Sequence, residues 1–303
     1  MARIIKDFVR RTPRTVLVCW GLAPREVARY LNAQGIHVFQ DPSLALRTLN
    51  KVMLAADVRR NSPAAGMTSR SGDWAALLPT VTAGMVVSEH ECHRMLSALG
   101  LRMASGQLLT SEEQLGEIGH SVGYPVAMKG ISPAVTHRAK AGLIALDVRN
   151  DGEAQAAWHK LMARARKSGV TLEGVYAQHM HAGRIELLVS AFRDPVFGVM
   201  VACGGGGNLT ELIDDVVLAR APLSTQEAGA LLQSVRTLKQ SGMTASGVDA
   251  APMVAFLKQF SEIAQAVPWK RFVLEINPVK WALDGDEKAE VVAVDGLLLI
   301  ESS

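Results

Sequence analysis

Leu274-Glu275-Ile276-Asn277-Pro278-Val279 lies near the C-terminus and is followed by Asp284-Gly285-Asp286 and then Val291-Val292-Ala293-Val294-Asp295-Gly296. Each apolar half has strand character and carries hard oxygen donors at one end. The Asp-Gly-Asp segment between them is turn chemistry, so the halves are expected to pair antiparallel. That pairing would bring the amide oxygen of Asn277 near the carboxylates of Glu275 and Asp295. Oxygen donors without Cys or His suit Mg²⁺ bound together with substrate phosphates. The same pattern also fits a buried hairpin whose acids are surface charges, and the rest of the chain has to separate the two readings.

The bulk properties narrow the field. A chain of 303 residues, 49% hydrophobic and 20% charged, is a normal globular sequence with ample core material, and its length favours two or three domains. The net charge of +3 is mild. Lys and Arg are scattered without a basic run or interleaved aromatics, which argues against nucleic acid as a partner. The balance is compatible with an anionic ligand such as a nucleotide. Cys19, Cys92 and Cys203 are too scattered for a disulfide framework and lack metal-ligand spacing, so a reducing cytoplasm is the expected compartment. Met1 begins a polar, basic stretch, and no apolar run approaches a membrane span.

The order of elements predicts an α/β protein. Val16–Trp20 is a strand pattern, Pro24 to Asn32 a helix, Gly35–Phe39 a second strand, and Asp41 caps a helix from Pro42 to about Val58. Two parallel strands cannot cover their own faces, so this β-α-β-α piece is expected to complete its sheet with other material. Residues 61–87 read as a linker. A second domain, 88–303, starts at Ser88, which has capping-box spacing to Glu91 ahead of a helix ending near Gly100. Thr110 and Glu113 repeat that spacing. Strands are expected at Val126–Lys129, Gly142–Val148, Val175–Met180, Ile185–Phe192 and Phe197–Ala202. Helices are expected at Asp151–Ser168, Thr225–Ser241 and Ala251–Ala266.

Several positions could carry chemistry. Lys129 ends an apolar strand and is either a snorkelling surface residue or a phosphate ligand. His137 sits among cations in the loop Ile131–Gly142, as an ordinary loop histidine or as a nucleophile toward phosphorus. Cys203-Gly204-Gly205-Gly206-Gly207-Asn208 places four glycines after a strand, as a turn or as a backbone cradle for phosphate. It matches neither the Walker A nor the dinucleotide fingerprint. Glu211 and Asp215 just beyond are a solvated helix face, metal ligands or orienting residues. Gln178-His179-Met180-His181-Ala182-Gly183-Arg184-Ile185-Glu186 resembles a hinge under a flat ligand with a carboxylate downstream. Neither His179 with His181 nor His90, Cys92 and His93 offers a complete zinc set at usual spacing.

Taken in order, these motifs resemble the ATP-grasp half of the nucleoside-diphosphate-forming acyl-CoA synthetases, the superfamily of ADP-forming acetyl-CoA, succinyl-CoA and feruloyl-CoA synthetases. The motifs are Gly123-Tyr124-Pro125-Val126 with Lys129, Ser132-Pro133 with His137, the Gln178 hinge, Arg193-Asp194-Pro195 with Phe197-Gly198, the glycine loop with Glu211 and Asp215, Ala221-Pro222-Leu223, Leu274–Pro278 and Val294-Asp295-Gly296. The match covers roughly residues 88–301. It implies a two-lobed ATP-grasp domain preceded by the latter half of a flavodoxin-like domain in residues 1–60. It further implies ATP/ADP and Mg²⁺ as ligands, a CoA-binding partner subunit or domain, a small carboxylic acid and CoA handled through that partner, and an oligomeric assembly. Lys129 and Gly205–Gly207 would face the phosphates, Gln178, His179 and Met180 would hold adenine largely by backbone, and Glu186 would reach the nucleotide. Asn277 and Asp295, with Glu275 nearby, would hold Mg²⁺. His137 would relay phosphate, with Glu211 beside it.

The sequence departs from that family in three ways. The primary phosphohistidine loop and the glycine-rich CoA-binding domain are absent from it. His179 stands where the family often has Glu. Lys140 and Asn208 replace an acidic and an apolar residue. Two alternatives remain at this stage: another ATP-grasp carboxylate ligase, which would not need His137, and a non-catalytic nucleotide-binding subunit.

Overall fold

A computed structural model of the chain describes residues 1–61, 74–132, 135, 141–183, 185–207, 215–240, 249–282 and 290–302. His137 and Glu211 lie outside the described residues, as does the turn at 284–286. The chain divides into two compact units, Met1–Ala65 and Gly66–Ser303.

The first unit begins with helix α1 (Ala2–Arg11), which the sequence reading does not anticipate. Its Ala2, Ile5 and Val9 pack on a small core of Val18, Leu31, Ile36 and Val38, while Ile4 and Phe8 stay exposed. Strands β1 (Val18–Cys19) and β2 (Val38–Phe39) pair in parallel, with α2 (Arg25–Ala33) between them and α3 (Pro42–Asn61) after them. This is the expected β-α-β-α order, with shorter strands. Asp41 accepts the N–H of Ser43 at 2.8 Å at the start of α3.

The second unit begins inside the stretch read as a linker. Helix α4 (Trp74–Leu77) buries Trp74 edge-on against Trp269, with ring centroids 5.6 Å apart. Strand β3 (Met85–Val87) then pairs with β13 (Gly296–Ser302). Apolar side chains from Trp74 to Val87 cover a sheet edge and so become part of the core.

Helix α5 (Glu89–Ala98) follows Ser88, but Ser88 forms no side-chain cap; its hydroxyl meets His90 Nδ1 at 3.0 Å, and Glu91 pairs with Arg94 at 2.9 Å. Strand β4 (Gly106–Leu109) leads to a 3-10 turn, Glu112–Glu117, whose capping box is formed by Ser111 and Gln114, one residue later than expected. Helix α6 (Ile118–Ser121), strands β5 (Val126–Ile131) and β6 (Ile144–Val148), helix α7 (Asp151–Lys167) and strand β7 (Gly174–His179) complete a four-stranded antiparallel sheet, ordered β4-β7-β5-β6. Trp158, Leu161 and Ile118 fill its helical face.

The larger sheet is built from β8 (Ile185–Asp194), β9 (Gly198–Gly205), β10 (Val216–Arg220), β11 (Arg271–Ala282) and β12 (Glu290–Ala293), in the order β10-β9-β8-β11-β13-β3 with β12 on β11. The C-terminal hairpin pairs antiparallel as the sequence implies, Val279 opposite Ala293. Strand β11 is longer than expected: its first half pairs with β13, and Val273–Ile276 and Val279–Trp281 pair with β8. Strand β10 is not foreseen.

The predicted helix 225–241 is two helices, α8 (Thr225–Ser234) and α9 (Arg236–Gln240), broken at an extended Val235. The buried Asp215 carboxylate causes the break. It accepts the N–H groups of Arg236 at 2.9 Å and Thr237 at 2.6 Å, which a continuous helix would bond to its own carbonyls. Helix α10 (Ala251–Gln265) packs Phe256, Leu257 and Phe260 under the larger sheet. No helix among the described residues is long and apolar enough to cross a membrane.

Burial alone would raise the Asp215 pKa; hydrogen bonds from Thr237 and Arg236 overcome it and hold it at about 2, against an ordinary 3.8. A depressed carboxylate stabilises the fold above its unfolded pKa and loses that contribution as pH falls through its folded value. Asp215→Asn is therefore expected to cost about 2 kcal/mol at pH 7, with the gap to the natural protein narrowing from pH 4 toward pH 2 in urea unfolding curves.

Packing of the smaller sheet yields a second test. A Cβ on Gly106 would stand 2.5 Å from Tyr176 Cζ, and the buried Tyr176 hydroxyl has no hydrogen-bond partner among the described residues. Gly106→Ala should lose about 1–3 kcal/mol. Tyr176→Phe should be neutral or stabilising, because it removes an unsatisfied buried group.

Candidate functional site

Lys129 is not a surface residue. The residue is 5% exposed, on β5 directly opposite Tyr176 of β7, so Lys129, Tyr176 and Gln178 share one face of the smaller sheet. The ammonium donates to Glu89 Oε1 at 2.6 Å, to Gln178 Oε1 at 2.8 Å, and to Asp295 Oδ1. Glu89 opens α5 and Asp295 lies between β12 and β13, so this one cation ties the smaller sheet to two elements packed with the larger. Gln178 adds a second tie, donating its amide N–H to the Val294 carbonyl at 2.9 Å.

The charges shift accordingly. Burial would lower the Lys129 pKa, but Asp295 and Glu89 raise it above its ordinary value, so the side chain stays an ammonium. The Asp295 side chain keeps 42% of its surface open, against 5% for Glu89. That difference in access marks Asp295 as the acid that solvent or a ligand reaches.

The predicted metal ligands are brought together in part. Asn277 N–H donates to the Asp295 carbonyl at 3.0 Å, which fixes the two residues across adjoining strand ends. Their side chains have different partners: the Asn277 amide oxygen accepts from Gly207 N–H at 3.1 Å, and the Asp295 carboxylate takes Lys129. Glu275 is half-buried two residues before Asn277 on the same face of β11, and burial raises its pKa. Among the described residues no three His, Cys, Asp or Glu side chains converge as a metal cage. A donor set of one amide oxygen and separate carboxylates fits Mg²⁺ that completes its shell with phosphates and water, and does not fit a closed protein site.

The glycine run has a packing reason of its own. A Cβ on Gly206 would lie 2.5 Å from the Leu187 backbone, and one on Gly204 2.5 Å from the Asp215 carbonyl. Gly205 pairs with Leu187 across β8. Gly207 has φ +74° and lies against the Glu186 carboxylate. Glu186 itself pairs with Lys280 at 3.4 Å, and its carbonyl accepts Gly206 N–H at 2.8 Å. Asp215 is committed to α9 and takes no part in the site.

The hinge differs from its expectation. The N–H of His179 donates to Ser105 and that of Met180 to Pro125, at 2.8 and 2.9 Å, so neither backbone donor is open to an adenine ring. The His179 imidazole meets the Gly123 carbonyl at 2.9 Å and the His181 ring edge-on at 4.7 Å. His93 is held by the Ala104 carbonyl. The thiols of Cys92 and Cys203 are buried and pushed up to about 12, burial being the main cause.

Glu89 is the site residue that the sequence reading misses. An acid in a helix's first turn is ordinary helix-start chemistry, and nothing local signals that it meets a lysine forty positions away.

The comparisons agree with this architecture. A family model described as ATP-grasp domain matches residues 82–300. The chain is 27% identical over 92% of its length to a trans-feruloyl-CoA synthase from an unknown prokaryotic organism, but spans 38% of that protein. It is 29% identical to the acetate–CoA ligase [ADP-forming] I subunit beta of Pyrococcus furiosus, covering 63% of this chain and 84% of that one. Among solved structures, a chain of the Ca. Korarchaeum cryptofilum dinucleotide forming acetyl-coenzyme A synthetase 1, in complex with coenzyme A and Ca-AMPCP, superposes with TM-score 0.63 at 26% identity. The superposition covers 71% of this chain and 93% of that chain. The fold and the family match make this chain a member of the ATP-grasp domain family. Its relatives include an ADP-forming acetate–CoA ligase and the beta subunit of another.

The geometry at Gly207 is directly testable. Gly207→Ala should lose about 1–3 kcal/mol in urea unfolding, since it places a Cβ at positive φ against Glu186. Glu186→Ala in the same chain should return only the part due to the clash with the carboxylate, since the strain of a side chain at φ +74° remains.

Proposed function

We propose that this chain is the ATP-grasp portion of an ADP-forming acyl-CoA synthetase, which binds Mg-ATP or Mg-ADP and passes phosphate through a phosphohistidine. Residues 1–60 form the latter part of a flavodoxin-like domain and residues 88–303 the nucleotide-binding domain. The observation that carries the reading is the buried Lys129 ammonium, held where the smaller sheet meets Asp295. A fixed cation beside a reachable carboxylate can bind a nucleotide phosphate and its metal at once.

In this reading Lys129 neutralises the nucleotide phosphates. Asn277 and Asp295 hold Mg²⁺, which screens charge on the transferred group, and Glu275 stands nearby or orients the site. Gly205–Gly207 bring backbone N–H groups to the phosphates, and Glu186 with the Gln178–Met180 hinge borders the nucleoside. The imidazole of His137 attacks the terminal phosphorus: an N–P bond forms as the bond to the ADP oxygen breaks. The phosphoryl group is then relayed through the primary phosphohistidine of the CoA-binding half to the carboxylic acid, and CoA displaces phosphate from the acyl phosphate. The last steps need a CoA-binding partner subunit or domain, so the chain by itself makes no acyl-CoA.

Calorimetry with Mg-ADP tests the nucleotide site: the natural chain should bind, and Asp295→Ala should weaken binding at least about tenfold. Absence of any Mg²⁺-dependent binding would remove the reading. With labelled ATP, Mg²⁺ and the CoA-binding half, label should appear on the protein and vanish in His137→Ala. Unchanged phosphoryl transfer in that variant would point to a ligase that forms its acyl phosphate directly.

A further inference from the structure

An ammonium has three N–H donors, and on Lys129 all three are taken by protein acceptors: Glu89, Gln178 and Asp295. If Lys129 binds a nucleotide phosphate, one of these acceptors must leave. The three are not equivalent. Gln178 is fully buried and is fastened on its other side to Val294. Glu89 is buried in the first turn of a ten-residue helix, which fixes its backbone. Asp295 keeps an open edge and sits at a strand junction.

We propose that Glu89 is a positioning residue for the nucleotide site: it holds the Lys129 ammonium in place while Asp295 is exchanged for phosphate. In the free protein Asp295 occupies the position that a phosphate oxygen takes later. When Mg-nucleotide arrives, Asp295 turns to the metal, the phosphate accepts the vacated N–H, and Glu89 and Gln178 stay. Glu89 has a second effect. Two carboxylates sharing one ammonium each hold it less tightly than one would alone, so Glu89 keeps the Lys129–Asp295 pair exchangeable. Without Glu89 that pair becomes exclusive and competes with the nucleotide. This inference rests on the nucleotide site proposed above.

A double-mutant cycle read by calorimetry with Mg-ADP on the full chain tests it, with thermal melts to confirm folding. Glu89→Gln should weaken binding about tenfold in the natural background. In the Lys129→Met background that loss should be absent or reversed, because the residue it positions is gone and Glu89→Gln then relieves the repulsion between two facing acids. A purely structural Glu89 would lower the melting temperature and leave affinity unchanged, or would cost the same affinity in both backgrounds; either result overturns the proposal. If Lys129→Met binds Mg-ADP as well as the natural chain, the nucleotide-site reading itself fails. Should Lys129→Met not fold, Glu89→Asp decides. It keeps the charge but withdraws the carboxylate by one methylene, so positioning predicts weaker binding and a bare charge effect predicts none.

Discussion

The second unit turns on one buried cation. Taking an ammonium out of water is expensive, and Lys129 is tolerated because two carboxylates and an amide surround it. Its strand belongs to the smaller sheet, while Glu89 and Asp295 come from elements that pack with the larger. Removing either acid leaves the cation under-compensated; removing the lysine leaves two acids facing each other. Such a cluster is weak evidence for stability, since apolar replacements of buried ion pairs are often as stable. Its charge and its open edge at Asp295 make better sense as features of a ligand site.

The surrounding packing serves that cluster. β11 runs the full height of the larger sheet and pairs with β8 on one side and with β12 and β13 on the other. It thereby sets Glu275 and Asn277 on one face and ties Asn277 to Asp295 through a backbone bond. The glycine run gives the close approach of β9 to Leu187 and Glu186, and Asn277 accepts from Gly207. The loop, the acids and the lysine are thus linked through short polar contacts, though they come from separate segments of the chain.

Much of this was legible in the sequence, for identifiable reasons. Strands with buried apolar runs, such as Val126–Ile131 and Ile185–Asp194, announce themselves, as does the pairing of the two C-terminal apolar segments. Local signals failed where a distant group set the outcome. The break at Val235 is dictated by Asp215, which accepts the N–H of Arg236 from twenty-one residues away. β10 was hidden because its side chains alternate weakly at a sheet edge. The segment around Trp74 looked like a linker because its neighbours are Gly, Ser and Pro, yet its apolar residues are needed to cover the sheet. The candidate site was legible as a set of residue types in order. The pairing of Lys129 with Glu89, and the use of the hinge N–H groups within the sheet, depend on three-dimensional register that no local pattern encodes.

In the proposed site Lys129 and Asp295 change partners when nucleotide binds. A crystal structure of the chain with Mg²⁺ and a non-hydrolysable ATP analogue tests that most directly. A phosphate oxygen is expected within hydrogen-bond distance of the Lys129 ammonium, with the metal on Asp295 and Asn277 and Glu89 still on Lys129. A nucleotide bound elsewhere, or a Lys129 that keeps Asp295 with nucleotide in place, would contradict it.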